Sequence, residues 1–244
     1  MSATASHFVE RLTLLQSDEE LRKIQRYFKS GEGEYGAGDE FIGVRMGKLF
    51  ELAKEYMDMP INEIETLLES PIHEVRAGAV SIMDKKSRSK KTGVDEKKEL
   101  VELYLRRIDR INNWDLVDLG ALHLIGSYFY DKSRDTLFSL ALSDNIWERR
   151  TAIVGTAYFI RKGDVDDTFK IAEILVNDEH DLVHKATGWM LRFAGDVQRE
   201  RLLDFLAKYA VTMPRTLLRY SIEKLSKTER DYYMGLKKAG MESA

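Results

Sequence analysis

The sequence predicts an all-α fold, a curved solenoid of antiparallel helix pairs that runs as one domain over residues 1–244. Three observations lead there. Apolar residues recur at three- and four-residue spacing almost throughout, whereas two-residue alternation is scarce. The only prolines, Pro60, Pro71 and Pro214, stand where helices can begin, at first-turn positions that tolerate a missing N–H. A loose motif of small and polar residues also returns along the chain.

The periodicity is clearest in Leu100, Leu103, Tyr104, Arg107, Ile108 and Ile111, and again in Ile171, Ile174 and Leu175. Breaks and caps punctuate it at Ser70-Pro71, Ser143-Asp144 and Asn177-Asp178. The recurring motif begins as Val75-Arg76-Ala77-Gly78-Ala79-Val80. Its echoes are Val117-Asp118-Leu119-Gly120-Ala121-Leu122, Arg149-Arg150-Thr151-Ala152-Ile153-Val154, Val183-His184-Lys185-Ala186-Thr187-Gly188 and Leu218-Arg219-Tyr220-Ser221-Ile222-Glu223. Its second position falls at 76, 118, 150, 184 and 219, giving steps of 42, 32, 34 and 35 residues. Such steps belong to stacked helical repeats of the HEAT and armadillo kind, whose concave face is lined by equivalent positions. A repeat scaffold needs no chemistry, so the fold by itself favours a binding module over an enzyme.

Charge and composition narrow the function classes. The formal net charge of −3 argues against a surface coated in positive charge for nucleic acid, but the charge is segregated. From Asp84 to Asn113 there are ten Lys or Arg against six Asp or Glu, a net +4, which leaves −7 for the rest. The chain has no cysteine, so disulfides and thiolate metal sites are absent. No apolar run approaches the roughly 20 residues of a membrane span, and Met1 to His7 lacks the pattern of a signal peptide. The expectation is a soluble cytoplasmic protein, with no membrane partner.

Several motifs carry less than their pattern promises. Gly31-Glu32-Gly33-Glu34-Tyr35-Gly36 matches G-x-G-x-x-G, but a helix precedes it and its acids repel phosphate. It reads as a connector. His180 and His184 stand one turn apart at a helix start, yet no third ligand accompanies them, so neither a metal nor any other cofactor is expected. The basic run Lys85-Lys86-Ser87-Arg88-Ser89-Lys90-Lys91 reads either as a solvated interhelical loop or as a phosphate-contacting loop beside a groove.

The strongest constellation is Asn112-Asn113-Trp114-Asp115-Leu116-Val117-Asp118. Trp114 and Asp118 share a helix face, and Asp115 is a candidate cap. The other tryptophans sit in matching surroundings: Trp147 three before Arg150, and Trp189 four after Lys185 and three before Arg192. Tryptophans at helical spacing usually belong to a core. Their repetition beside an acid and arginines favours a site.

These stretches resemble the HEAT-like-repeat DNA alkylation repair glycosylases of the bacterial 3-methyladenine and 7-methylguanine type. The likeness is carried by residues 113–118, 144–150, 185–192 and 215–219, with Arg26-Tyr27-Phe28-Lys29 and Phe41-Ile42-Gly43-Val44-Arg45 near the N-terminus. One departure is Gly47, where that family tends to have proline. The resemblance implies that Asp118 is the catalytic aspartate, that Trp114 and Trp189 face the lesion nucleotide and that Arg150 belongs to the same cleft. It also implies DNA contacts from Tyr27, Lys185, Arg192, Arg215 and Arg219. The implied partner is alkylated double-stranded DNA held by a monomer, and the implied reaction is excision of cationic N-alkylated purines without a base-reading pocket. The alternatives are a noncatalytic HEAT-repeat DNA-binding protein and a protein-interaction scaffold.

Overall fold

In a computed structural model, residues 3–28, 31 and 33–242 are described, with side chains to residue 236. Lys29 and Glu32, parts of two stretches singled out above, lie outside the described residues. The described residues are helical, with no strand; a single β-bridge joins Glu40 to Ile72. No helix among them is long and apolar enough to cross a membrane. The chain divides into two compact units, residues 1–124 and 125–244.

The first unit contains α1 (Ala5–Thr13), α2 (Asp18–Tyr27), α3 (Met46–Glu55), α4 (Ile61–Leu68), α5 (His73–Arg88), α6 (Val94–Arg106) and α7 (Trp114–Gly120). The π-helical segment Ala121–Gly126 follows, and the division between units falls inside it. Thr4 and Ser17 cap α1 and α2 through their side-chain oxygens. Pro60 is the N-cap of α4 and Pro71 lies two residues before α5, each just ahead of the first turn rather than in it.

Helix α5 is buried nearly all round, the pattern of a central helix. Its Gly78 is filled by Phe8: a Cβ there would sit 2.5 Å from the Phe8 ring. Gly120 gives α7 the same close approach, with Tyr104 and Val80 as neighbours. The loop ahead of α3 is held by Glu74, whose carboxylate accepts the N–H groups of Ile42, Gly43 and Val44. Gly43 has φ 79° and lies against Ser17, so the turn requires glycine.

The basic run at 85–91 is not a loop over its whole length. Residues 85–88 form the last turn of α5. Lys86 is buried and donates to the carbonyls of Met57 and Met59 while pairing with Glu96 at 2.7 Å. Lys85 lies 5.4 Å from the Phe50 ring centre, and Arg88 pairs with Asp84. Half of the segment therefore builds the fold, and Lys90 and Lys91 remain exposed.

The second unit contains α8 (Ser127–Phe129), α9 (Asp135–Ala141), α10 (Ile146–Gly155), α11 (Ala157–Arg161), α12 (Asp166–Leu175), α13 (Asp181–Val197), α14 (Arg199–Tyr209), α15 (Arg215–Ser221) and α16 (Lys227–Glu242). Helix α13 packs against α10, α12, α14 and α15. Its Gly188 meets α15 so closely that a Cβ would stand 2.5 Å from that of Tyr220 and 2.6 Å from the Leu217 carbonyl oxygen. Pro214 is the N-cap of α15, and Asn145 caps α10 through its side chain.

The repeat survives in finer form. Arg76, Arg149 and His184 are each the fourth residue of their helices, and each reaches back six residues to a carbonyl, that of Ser70, Ser143 or Asp178. The equivalent of Arg76 is therefore Arg149, not Arg150. Asp118, Arg150, Lys185 and Arg219 share the next position, the fifth of α7, α10, α13 and α15.

Candidate functional site

In the first unit, the site is built around the start of α7. Asn113 caps that helix by accepting the Trp114 N–H at 2.8 Å; Asp115, expected as the cap, lies in the first turn and turns toward His73 instead. Trp114 is half-buried and joins an aromatic cluster. The Phe28 ring stacks on it at 5.6 Å with 18° between planes, and Tyr27 meets it edge-on at 5.7 Å. Phe28 in turn lies 5.2 Å from Phe41 and 5.0 Å from His73. Tyr27 is 67% exposed, so the cluster reaches solvent through a phenol. Asp118 is half-buried, one turn along α7 from Trp114 and on the same side of the helix.

Beneath the aromatics lies a charged cluster. His73 is 1% exposed, with Nε2 2.8 Å from Asp115 Oδ2 and Nδ1 3.3 Å from Asp39 Oδ2. Arg76 Nη2 donates to Asp39 Oδ1 at 2.5 Å, and Asn113 Nδ2 donates to Asp39 Oδ2 at 3.1 Å. Burial opposes the His73 imidazolium, but Asp115 and Asp39 outweigh it and raise its pKa to about 9. Burial likewise opposes the Asp39 carboxylate, yet His73, Arg76 and Asn113 hold it below the usual carboxylate range.

In the second unit, the expected residues occupy different environments. Arg150 is 5% exposed and donates to the Leu182 carbonyl at 2.5 Å, tying α10 to the first turn of α13. Trp189 is half-buried, edge-on to Phe193 at 5.6 Å. Lys185 pairs with Asp181 at 2.6 Å, and Arg192 pairs with Glu223 while lying over Phe193. Arg215 donates to the Met234 carbonyl at 2.9 Å. Arg219 is exposed beside Tyr220 and lines a 390 Å³ cleft with Glu223, Arg230 and Asp231. His180 caps α13 by accepting the Leu182 N–H, and the His184 Nε2–H donates to the Asp178 carbonyl. Both histidines thus have structural partners at that helix start.

The structure brings Tyr27 and Trp114 together in the first unit. It adds Phe28, Phe41, His73, Asp39, Arg76 and Asn113, none of which the sequence marked as a group. The DNA alkylation repair enzyme family model matches residues 8–225. The chain belongs to the DNA alkylation repair enzyme family. Its fold is shared with the solved structure named "Predicted DNA alkylation repair enzyme from Enterococcus faecalis", at 17% identity and a TM-score of 0.66, over 87% of this chain and 97% of that one. No curated protein matches the chain. For a DNA alkylation repair enzyme, a half-buried carboxylate one turn from a solvent-reaching aromatic cluster is a chemically apt arrangement: the rings attract cations and the carboxylate stabilises positive charge.

Proposed function

We propose that this family member is a HEAT-like-repeat DNA glycosylase that excises N3-alkyladenine and N7-alkylguanine from duplex DNA in base excision repair. The observation that carries the reading is the pairing of Trp114, stacked with Phe28 and flanked by Tyr27, with Asp118 one turn further along α7. Alkylation at N3 or N7 makes the base cationic and a good leaving group. Its departure takes the electron pair of the N-glycosidic bond and leaves positive charge at C1′ of the deoxyribose. Water then adds its oxygen to C1′ and loses a proton, so the reaction is a hydrolysis. An ionised Asp118 beside C1′ lowers the barrier by about 3–4 kcal/mol if it matches other preorganised polar groups. A ring face of Trp114 toward the charged nucleotide adds roughly 0.5–2 kcal/mol.

The cations of the second unit divide by burial. Lys185 pairs with Asp181 in an exposed ion pair of the kind worth about 0–1 kcal/mol, and exposed Arg219 lies beside the Tyr220 ring, so DNA phosphate can engage both; Arg192, more covered, would exchange Glu223 for phosphate. Buried Arg150 acts here as a positioning residue that holds the start of α13, and Arg215 does the same for α16 through Met234.

The test is release of 7-methylguanine and 3-methyladenine from alkylated duplex DNA, comparing wild type with Asp118→Asn. The expected loss is on the order of 10²–10³-fold in kcat, with uracil-containing duplex a poor substrate for both. Undiminished activity in Asp118→Asn removes Asp118 from the mechanism, and efficient uracil excision refutes selection by base charge. Salt-sensitive duplex binding by an inactive wild type supports a noncatalytic DNA-binding protein instead.

A further inference from the structure

The chemistry above uses Trp114 and Asp118 but not the buried charges beneath them. The two ring nitrogens of His73 face two different carboxylates, Asp115 and Asp39. A neutral imidazole has one N–H and can donate to only one of them, whereas the imidazolium donates to both. The geometry therefore selects the protonated ring. Charge balance agrees. The carboxylates of Asp39 and Asp115 face the guanidinium of Arg76 and the imidazolium, and the four charges cancel. Loss of the His73 proton leaves a net negative charge in a site from which water is largely excluded.

The same cluster pins the residues on both sides of Trp114. Asn113, just before it, caps α7 and donates to Asp39; Asp115, just after it, bonds His73. The Phe28 ring bridges the two layers, lying 5.0 Å from the His73 ring and stacked on Trp114. Asp118 lies on the same helix, one turn beyond this pinned first turn.

We propose that protonated His73, clamped between Asp39 and Asp115, is a positioning residue that fixes the first turn of α7, and with it Trp114 and Asp118, and that loss of its proton loosens this placement. Among the described residues, the His73 ring contacts Asp39 from the segment before α3, Asp115 from α7, and the uncharged rings of Phe28 and Phe41. Its own helix adds Arg76, bound to Asp39, and buried Glu74, whose carboxylate is taken by the N–H groups of Ile42, Gly43 and Val44; Glu40 meets His73 through its backbone carbonyl. The raised pKa of His73, about 9, accords with this clamp. The catalytic half of the inference rests on the glycosylase reading; the structural half does not.

Two measurements separate them. Trp114 is the only tryptophan of residues 1–124, so the full chain carrying Trp147→Phe and Trp189→Phe reports on it alone. Its emission, followed from about pH 6 to pH 10, is expected to change with a midpoint near 9. His73→Gln should abolish that transition, with Tyr27 still present as the baseline for phenol ionisation. Asp115→Asn, which keeps the ring and the shape of the cluster, should move the midpoint down by about one pH unit or more. In otherwise wild-type protein, His73→Gln should lower kcat for 7-methylguanine release on the order of 10–100-fold at neutral pH, leaving the duplex Kd unchanged. An emission profile identical in wild type, His73→Gln and Asp115→Asn overturns the proposal, as does a full kcat in His73→Gln. An inactive wild type refutes the glycosylase reading, and the emission profile then still decides whether His73 sets the placement of Trp114.

Discussion

Raising the pH from 6 to above 9 should destabilise the first unit by about 3 kcal/mol through His73 alone. Its pKa rises from the ordinary 6.5 to about 9 on folding. Two and a half units at about 1.36 kcal/mol each give the figure. Because the folded state holds the proton more tightly, the contribution is complete below about pH 6.5. It declines as pH rises and is gone once the folded pKa of about 9 is passed. Asp39 runs the other way: its depressed pKa contributes above its ordinary value of 3.8 and is lost as pH falls through the folded value. The cluster is therefore at its most stabilising from about pH 4 to pH 6.5. Urea unfolding read by Trp114 emission, in the Trp147→Phe, Trp189→Phe background, measures this. With an m value of about 3 kcal/mol/M, the midpoint should fall by roughly 1 M between pH 6 and pH 9.5. His73→Gln should be less stable than its parent at pH 6 and should lack this part of the decline. Equal losses of stability in His73→Gln and its parent would refute the clamp.

Two further substitutions test the packing that positions the site. Gly188→Ala forces a methyl against Tyr220 and the Leu217 carbonyl and should cost the second unit about 1–3 kcal/mol. Gly47→Ala, with nothing within 4 Å, is the control; it should be neutral or stabilising in a thermal melt, and equal melting of the two variants would contradict the close approach of α13 and α15. Lys86→Met strips the Met57 and Met59 carbonyls of a buried donor and should cost about 2–4 kcal/mol in chemical denaturation. Weakened duplex binding with unchanged stability would instead return Lys86 to the phosphate-contacting reading.

Helices were legible because burial writes itself into local spacing. The stripe Leu100, Leu103, Tyr104, Ile108 and Ile111 is buried, with Arg107 at its edge paired to Glu69 and Asp109. Trp114 and Asp118 were legible for the same reason, being one turn apart. The charged cluster was not. Asp39, His73 and Asp115 lie 34 and 42 residues apart, and no periodicity joins a loop acid, a helix start and a first-turn acid. Only the Arg76 position hinted at it, and aligning the motif on Arg76 placed Asp118, Arg150 and Arg219 one residue out of phase. The carbonyl contacts of Arg76, Arg149 and His184 reveal the true phase, which side-chain type alone conceals because Arg149 and Arg150 are the same residue.

That corrected phase changes what the repeat says about function. Four successive repeat helices, α7, α10, α13 and α15, carry an ionisable residue at the fifth position, Asp118, Arg150, Lys185 and Arg219. Equivalence of position does not give them equivalence of role, because a side chain acts on DNA only where it can leave its protein partner. Lys185 and Arg219 can do so at little cost, since solvent already screens them. Arg150 cannot: withdrawing its guanidinium would leave the Leu182 carbonyl without that donor and move a buried charge. Arg150→Lys, which keeps the charge but loses the planar donor fork, should therefore lower stability more than it weakens duplex binding. Lys185→Gln should do the reverse, flattening the salt dependence of binding at unchanged stability. If both substitutions act on binding alone, burial is a poor guide to role in this repeat, and the phosphate contacts extend to Arg150.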